Sequence, residues 1–212
     1  MRFAARMCSI VLVMPLAAQQ PPALLQIVRE RLNPKAETKY GKIEEELARL
    51  CTRMDSPNRY LALASLTVPR EVWWLNMYTS QADVDRVAEG YARNTALSAA
   101  MRQLAQGKQG LTTDPIDIMT TFRPDLSDSS PWRIGELPFA VVLQTQIPAR
   151  AAGTVFQSPG GGAFVFAAAA SRKEADRMLS TLGRNARVFA VRPEWSRPYD
   201  NWVALNPRLW RR

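Results

Sequence analysis

Apolar and polar positions between residues 23 and 124 follow two alternating rhythms. Residues 23–32 (ALLQIVRERL) read as a strand that Asn33-Pro34 ends. From residue 35 to 54 the spacing lengthens, and Ile43, Leu47, Leu50, Cys51 and Met54 fall on one face of a helix. That stripe predicts Cys51 as a packed core thiol, with Glu44, Glu45 and Glu46 on a solvated opposite side. Two extended runs, residues 60–66 and 71–78, flank a Pro-containing turn and predict a hairpin. Ser80 followed by Asp83 resembles a capping box and opens a helix over residues 81–106, with a break near Asn94-Thr95 and a stop at Gly107. Residues 116–122 form a last strand before Arg123-Pro124.

After a turn-rich stretch (126–138, LSDSSPWRIGELP) part of the pattern returns. Strands are predicted at 139–147, 154–157, 163–168 and 187–191, with Ser158-Pro-Gly-Gly-Gly162 as a hairpin turn. Ser171-Arg-Lys-Glu174 is a full capping box for a helix ending at Leu182-Gly183. Ser80, Asp83, Asp85 and Arg86 stand in register with Ser171, Glu174, Asp176 and Arg177, each set following a hairpin and a strand. The alternatives are a degenerate tandem repeat and a chance match of capping signals. On the repeat reading the fold class is α+β: a tandem ferredoxin-like β-α-β-β-α-β arrangement, with the second copy lacking its first helix and the sheets packed face to face. The segments are then a first repeat at 23–125, a linker at 126–138, a trimmed second repeat at 139–194 and a Trp/Arg-rich tail at 195–212.

The N-terminus changes the picture of where the protein works. Arg2 and Arg6 precede an apolar stretch over residues 7–18 and then Gln-Gln-Pro-Pro, the pattern of a signal peptide over residues 1–18. A buried N-terminal helix is the alternative, against which Pro15 counts. Export to the periplasm or the medium is therefore expected, and no transmembrane segment, since this stretch is too short to span a bilayer. Cleavage would remove Cys8 and leave Cys51 without an intramolecular partner. The 212 residues carry 28 Lys/Arg against 19 Asp/Glu, a net charge of +9, and no histidine. Without histidine, Ser-His-Asp and Cys-His catalysis and His-held metal or haem are excluded. Ten of the basic residues, against four acidic ones, lie between Arg172 and Arg212, beside Trp195, Tyr199, Trp202 and Trp210. A nucleic-acid surface could use such a tail. Export argues instead for a solvated basic surface, no nucleic-acid partner, and indoles packed against the fold.

The hairpin carrying Trp73-Trp74-Leu75-Asn76, the Ser-capped helix after it and the element order give residues 23–124 a resemblance to the dimeric α+β barrel superfamily. That group includes antibiotic-biosynthesis-monooxygenase-like and NIPSNAP-like domains. The resemblance implies two sheets packed face to face, here from one chain, and it transfers no catalytic residue. On strand 71–78, Trp73, Leu75 and Met77 are expected to meet the helices. Val72, Trp74, Asn76 and Tyr78 are expected to line a cavity between the sheets, with Gln26 from the first strand and Asp117, Met119, Thr121 and Arg123 from the fourth. The candidate ligand-binding set is Gln26, Trp74, Asn76, Tyr78 and Arg123. Three readings stay open: a protein binding a small, mostly apolar ligand between its sheets; a cofactor-independent monooxygenase-like enzyme acting on a phenol; and a structural module that self-associates. Gly160-Gly161-Gly162 lacks the Lys-Ser/Thr of a phosphate loop, and no metal or cofactor is expected.

Overall fold

The computed structural model describes residues 20–146, 151–183 and 185–211. The expected signal peptide and Cys8 lie outside these residues. The first strand, β1 (Leu24–Leu32), is followed by α1 (Glu37–Arg53), β2 (Tyr60–Ser65), β3 (Glu71–Tyr78), α2 (Gln81–Arg93), α3 (Thr95–Gln106) and β4 (Thr112–Phe122). The second half contains β5 (Phe139–Gln146), β6 (Thr154–Gln157), β7 (Gly162–Ala169), α4 (Arg172–Leu182) and β8 (Ala186–Val191). A 3-10 turn (Pro193–Trp195) and two short helices, α5 (Asp200–Leu205) and α6 (Pro207–Trp210), end the chain.

The eight strands of the described residues close into one antiparallel barrel in the order β1-β3-β2-β8-β5-β7-β6-β4. Within it the first four strands run β4-β1-β3-β2 and the last four β8-β5-β7-β6. The halves join through Leu63↔Val191 on one seam and Phe122↔Phe156 on the other. The second seam is short: β6 pairs only with Thr121 and Phe122, so most of β4 has β1 as its sole neighbour. That free edge explains why β4 starts four residues earlier than the pattern predicted, through Pro115, whose missing N–H costs nothing there.

The strands' inward residues form one continuous core. Leu25, Ile27, Leu61, Leu63, Trp73, Leu75 and Met77 come from the first half, Val142, Phe156, Phe164, Phe166 and Phe189 from the second. Trp73 packs against Phe189 and Phe164 with ring centroids 4.9 and 5.8 Å apart. The expected assignment of faces on β3 is therefore reversed. Trp73, Leu75 and Met77 fill the barrel, whereas Val72 and Trp74 pack in an outer layer with Tyr40 of α1 and Trp195. A closed barrel of this size needs large apolar side chains to fill it, and α2 buries little beyond Val87, so it cannot cover the bulkier face. The ligand cavity expected between the sheets is occupied by this aromatic core.

Cys51 is a buried free thiol, as the stripe on α1 predicted. Glu44 departs from the expected solvated face: it is buried and its carboxylate takes Lys108 Nζ at 3.0 Å. The helix over 81–106 is broken at Asn94, which caps α3 by accepting from Leu97 N.

The stretch 126–138 and the tail also serve the core. They place Trp132, Ile134, Trp202 and Leu209 in the barrel cluster. Trp202 stacks on Trp210 at 5.7 Å, and the Trp210 indole donates to Gly135 O at 2.9 Å. Gly135 has φ of 94°, and a Cβ there would lie 2.6 Å from the Trp202 ring. Gly135→Ala combines backbone strain with overpacking, so a loss of about 1–3 kcal/mol is expected in urea unfolding. A wild-type midpoint would show that the tail does not dock here.

Candidate functional site

Three of the five candidate residues meet on the outer, helix-facing side of β1 and β3. Gln26 lies opposite Asn76 in the strand register, with Tyr78 one outward position further along β3. Gln26 Oε1 accepts from Asn76 Nδ2 and from the Tyr78 hydroxyl, both at 3.2 Å. Its Nε2 donates to both oxygens of Asp117 on β4, at 2.8 and 3.0 Å. Besides Asp117, two further residues absent from the candidate set complete the network. Asn58 Nδ2 donates to Asn76 Oδ1 at 2.7 Å, and the Tyr91 hydroxyl of α2 donates to Asn58 Oδ1 at 2.6 Å.

The network has a direction. Protons point from Tyr91 to Asn58, Asn76 and Gln26 and finally to Asp117, which, when ionised, can only accept. Head-to-tail donors ending on a negative charge polarise one another, so the chain as a whole holds both Asn amides and the Gln amide in one orientation. The inner end is pinned by Arg197, a buried side chain from the tail that donates to Asn58 O at 3.0 Å and pairs with Asp55. The outer end, Asp117, is exposed, and Leu24, Val28 and Met119 around it on β1 and β4 are only half-buried. Asn76 and Tyr78, at 8% and 5% exposure, form the covered floor.

Burial pushes the Tyr78 phenol above its usual pKa, and the Asp117 charge pushes in the same direction. Tyr91 is pushed up to about 12, chiefly by burial and next by Cys51. Both phenols thus stay protonated at neutral pH and act as donors. Their chemistry is orientation and hydrogen bonding, with no general base among them.

Trp74 and Arg123 stand apart from this network. Trp74 shares the outer face of β3 but packs over α1, where Lys108 Nζ lies 5.0 Å from its ring centroid and 5.2 Å from that of Tyr40. Lys108 also bridges Glu30 at 2.8 Å and Glu44 at 3.0 Å. Burial disfavours its charge, but the two carboxylates outweigh that and leave its pKa raised. Its folded pKa exceeds the unfolded one, so its contribution is whole below about pH 10.4 and is lost as pH rises through the folded value. The expected result is a decline of stability in alkaline urea titrations that is missing in Lys108→Met. That variant, which leaves Glu30 and Glu44 without their cation, should be less stable at pH 7. Arg123, beyond the end of β4, pairs with Asp125 at 2.6 Å and with Gln157, which ties the strand's end to β6.

Sequence reasoning missed Asn58 and Tyr91 for a simple reason. Asn58 sits in the connection before β2, and Tyr91 shares α2 with few other buried groups. Neither lies in a pattern that marks it.

No protein-family model matches the chain, and no curated protein matches it. Solved structures do match. A protein of Fusobacterium nucleatum subsp. nucleatum, named as an inferred monooxygenase, superposes with a TM-score of 0.50 at 7% identity, over 85% of this chain and 94% of that one. One of the same description from Lactobacillus acidophilus gives 0.50 at 6% identity, over 80% and 94%. An anthrone oxidase-like protein gives 0.48 at 10%, over 80% and 92%. These proteins belong to the dimeric α+β barrel superfamily, and at such identities the likeness is one of fold. The present chain has that α+β barrel fold.

Proposed function

We propose that this chain is an exported α+β barrel protein that binds a small aromatic ligand carrying a hydroxyl or other hydrogen-bond donor. The ligand would lie on the outer face of β1 and β4 with its donor on Asp117. The observation that carries this reading is the one-way hydrogen-bonded chain from Tyr91 to Asp117. It presents a polarised acceptor on an exposed strand face, flanked by the half-buried Leu24, Val28 and Met119. The chain's origin as an internal duplication belongs to the same proposal. Two kinds of observation support it: the repeated strand order, and matched caps in which Ser80 accepts from Asp83 N and Ser171 from Glu174 N. Export rests on the N-terminal pattern alone. Among the described residues no helix is long and apolar enough to cross a membrane.

A second reading, cofactor-independent oxidation of the bound phenol, draws on the two fold neighbours named as monooxygenases. The buried phenols stay protonated and serve as donors, so on this reading the Asp117 carboxylate would be the group that takes the substrate's proton.

Calorimetric titration of the protein with 4-alkylphenols, run beside oxygen-uptake measurements, tests both. The binding reading expects saturable binding that falls about tenfold in Asp117→Asn and in Asn76→Ala, the typical worth of a hydrogen bond to a charged group. Binding that ignores both substitutions, or no binding, would overturn it. Oxygen uptake that disappears in Tyr78→Phe would favour the enzyme. Native mass spectrometry of protein recovered from the producing cells reports cleavage near residue 18, subunit number and any retained ligand.

A further inference from the structure

The two ends of the barrel differ in how their charges are matched. At one end Arg31 stands opposite Glu71 and Thr113, and Leu32 N donates to Arg70 O at 2.9 Å. The turn 33–36, the tip of the β2–β3 hairpin and the start of β4 therefore share one rim. Arg29, Lys35 and Arg70 of this rim have no ion-pair partner among the described residues. The acids on its strands are already taken: Glu30 meets Lys108, Glu71 meets Arg187 and Asp114 meets Arg31. Glu37, in the first turn of α1, is unmatched, but the cations stay in excess.

The opposite end is close to balanced. Arg123 pairs with Asp125, Arg133 with Glu136, Arg192 with Glu194 and Arg197 with Asp55. Asp128 and Asp200 largely offset Arg59, Arg208 and Arg211 there.

Apolar exposure follows the same asymmetry. Val68, at the hairpin tip, is 89% exposed, and Ile116, opposite Arg29 in the β1–β4 register, is 39% exposed. Turn tips ordinarily carry polar or small residues. An aliphatic side chain held out in water gains nothing from folding, and it gains when an apolar phase covers it.

We infer that this end of the barrel docks on an anionic lipid surface. Val68 would enter the boundary between headgroups and acyl chains, with Lys35 and Arg70 on lipid phosphates. Their long apolar stems suit that boundary, because they can lie in it while the charged heads stay hydrated. Each cation brought to such a surface strengthens binding about fivefold. A nucleic acid would use the same cations but leave Val68 without a role.

The test uses the protein as recovered from the producing cells. It measures partition onto sedimented phosphatidylcholine vesicles, with and without about 30% phosphatidylglycerol to make the surface negative. Wild type is expected to bind the anionic vesicles far more than the neutral ones, and to lose most of that binding at about 0.5 M salt. Lys35→Gln/Arg70→Gln should weaken it about thirtyfold, and Val68→Asp about tenfold. Arg208→Gln/Arg211→Gln removes the same charge at the opposite end and should change binding by less than about threefold. All five side chains are exposed, and Val68→Ser replaces Val68→Asp if the latter does not fold. Equal partition onto both kinds of vesicle, or none, would overturn the inference. Binding that survives the rim variants would place the contact elsewhere, for instance in the apolar N-terminal stretch, and would overturn it too. Loss in Lys35→Gln/Arg70→Gln without loss in the Val68 variants would mean a surface for polyanions in general, against the lipid assignment. Failure of the phenol titrations at Asp117 would leave this result untouched, since the two surfaces share no residue.

Discussion

Arg187→Met is expected to destabilise the protein by about 3–5 kcal/mol, and by more than Glu71→Gln does. The asymmetry follows from exposure. The Glu71 side chain is wholly buried at the N-terminal end of β3, where it accepts from Trp73 Nε1 at 3.0 Å and pairs with Arg187 of β8. Arg31 is its other cation, at 3.9 Å and 44% exposed. Removing Arg187 leaves a carboxylate inside the barrel with one indole and a distant, solvated guanidinium. Removing the charge of Glu71 instead leaves Arg187, whose side chain is 26% exposed and can turn to water. Glu71→Gln also preserves an oxygen for the indole, so a cost of about 1–2 kcal/mol is expected. The double variant Glu71→Gln/Arg187→Met should recover part of the loss. Urea unfolding at pH 7 gives all three values, and equal costs for the two single variants would mean that the pair is solvated.

Trp73→Ala is expected to lose about 3–5 kcal/mol, and Trp74→Ala less than half of that. The two indoles are neighbours in sequence but occupy different layers. Trp73 is 2% exposed, touches Phe164 and Phe189 across the barrel and supplies the donor to Glu71. Its loss leaves a void among side chains from both halves, which cannot collapse without moving the seams. Trp74 is only partly buried, beneath α1 beside Lys108, and truncating it mainly opens a surface layer to water. Guanidinium unfolding of both variants measures the contrast directly. A larger cost for Trp74 would return the bulky face of β3 to the helices and reopen the barrel interior as a cavity.

The same pair of residues marks the limit of what could be read from the chain. Trp73 and Trp74 alternate within VWWLNMY, where both faces carry an aromatic and an aliphatic group. Periodicity assigns residues to two faces but not to inside or outside when neither face is plainly polar. Gln26, Asn76 and Tyr78 were legible as a group because a single register across β1 and β3 joins them. Arg123 was not separable from them, since its distance from the group follows from the turn after β4 and its tie to Gln157 of β6. Asn58 and Tyr91 needed the packing of α2 over the strands. Glu44 sat in a charged run that ordinarily marks a solvated face, until Lys108, brought in by the end of α3, gave it a buried partner.

What the residue order determined by itself is local. Alternation and stripes placed the strands and helices, serine caps started α2 and α4, Asn94 divided the long helix, and Cys51 went to the core, because each depends on neighbours within a turn or a pleat. Tertiary structure decided the rest. Closure of the barrel pairs Leu63 with Val191 and Phe122 with Phe156, contacts between distant segments that no short window contains. Closure also chose which face of β3 is core and filled the interior with rings, which leaves the network of Gln26, Asn76 and Tyr78 on the outside of the barrel.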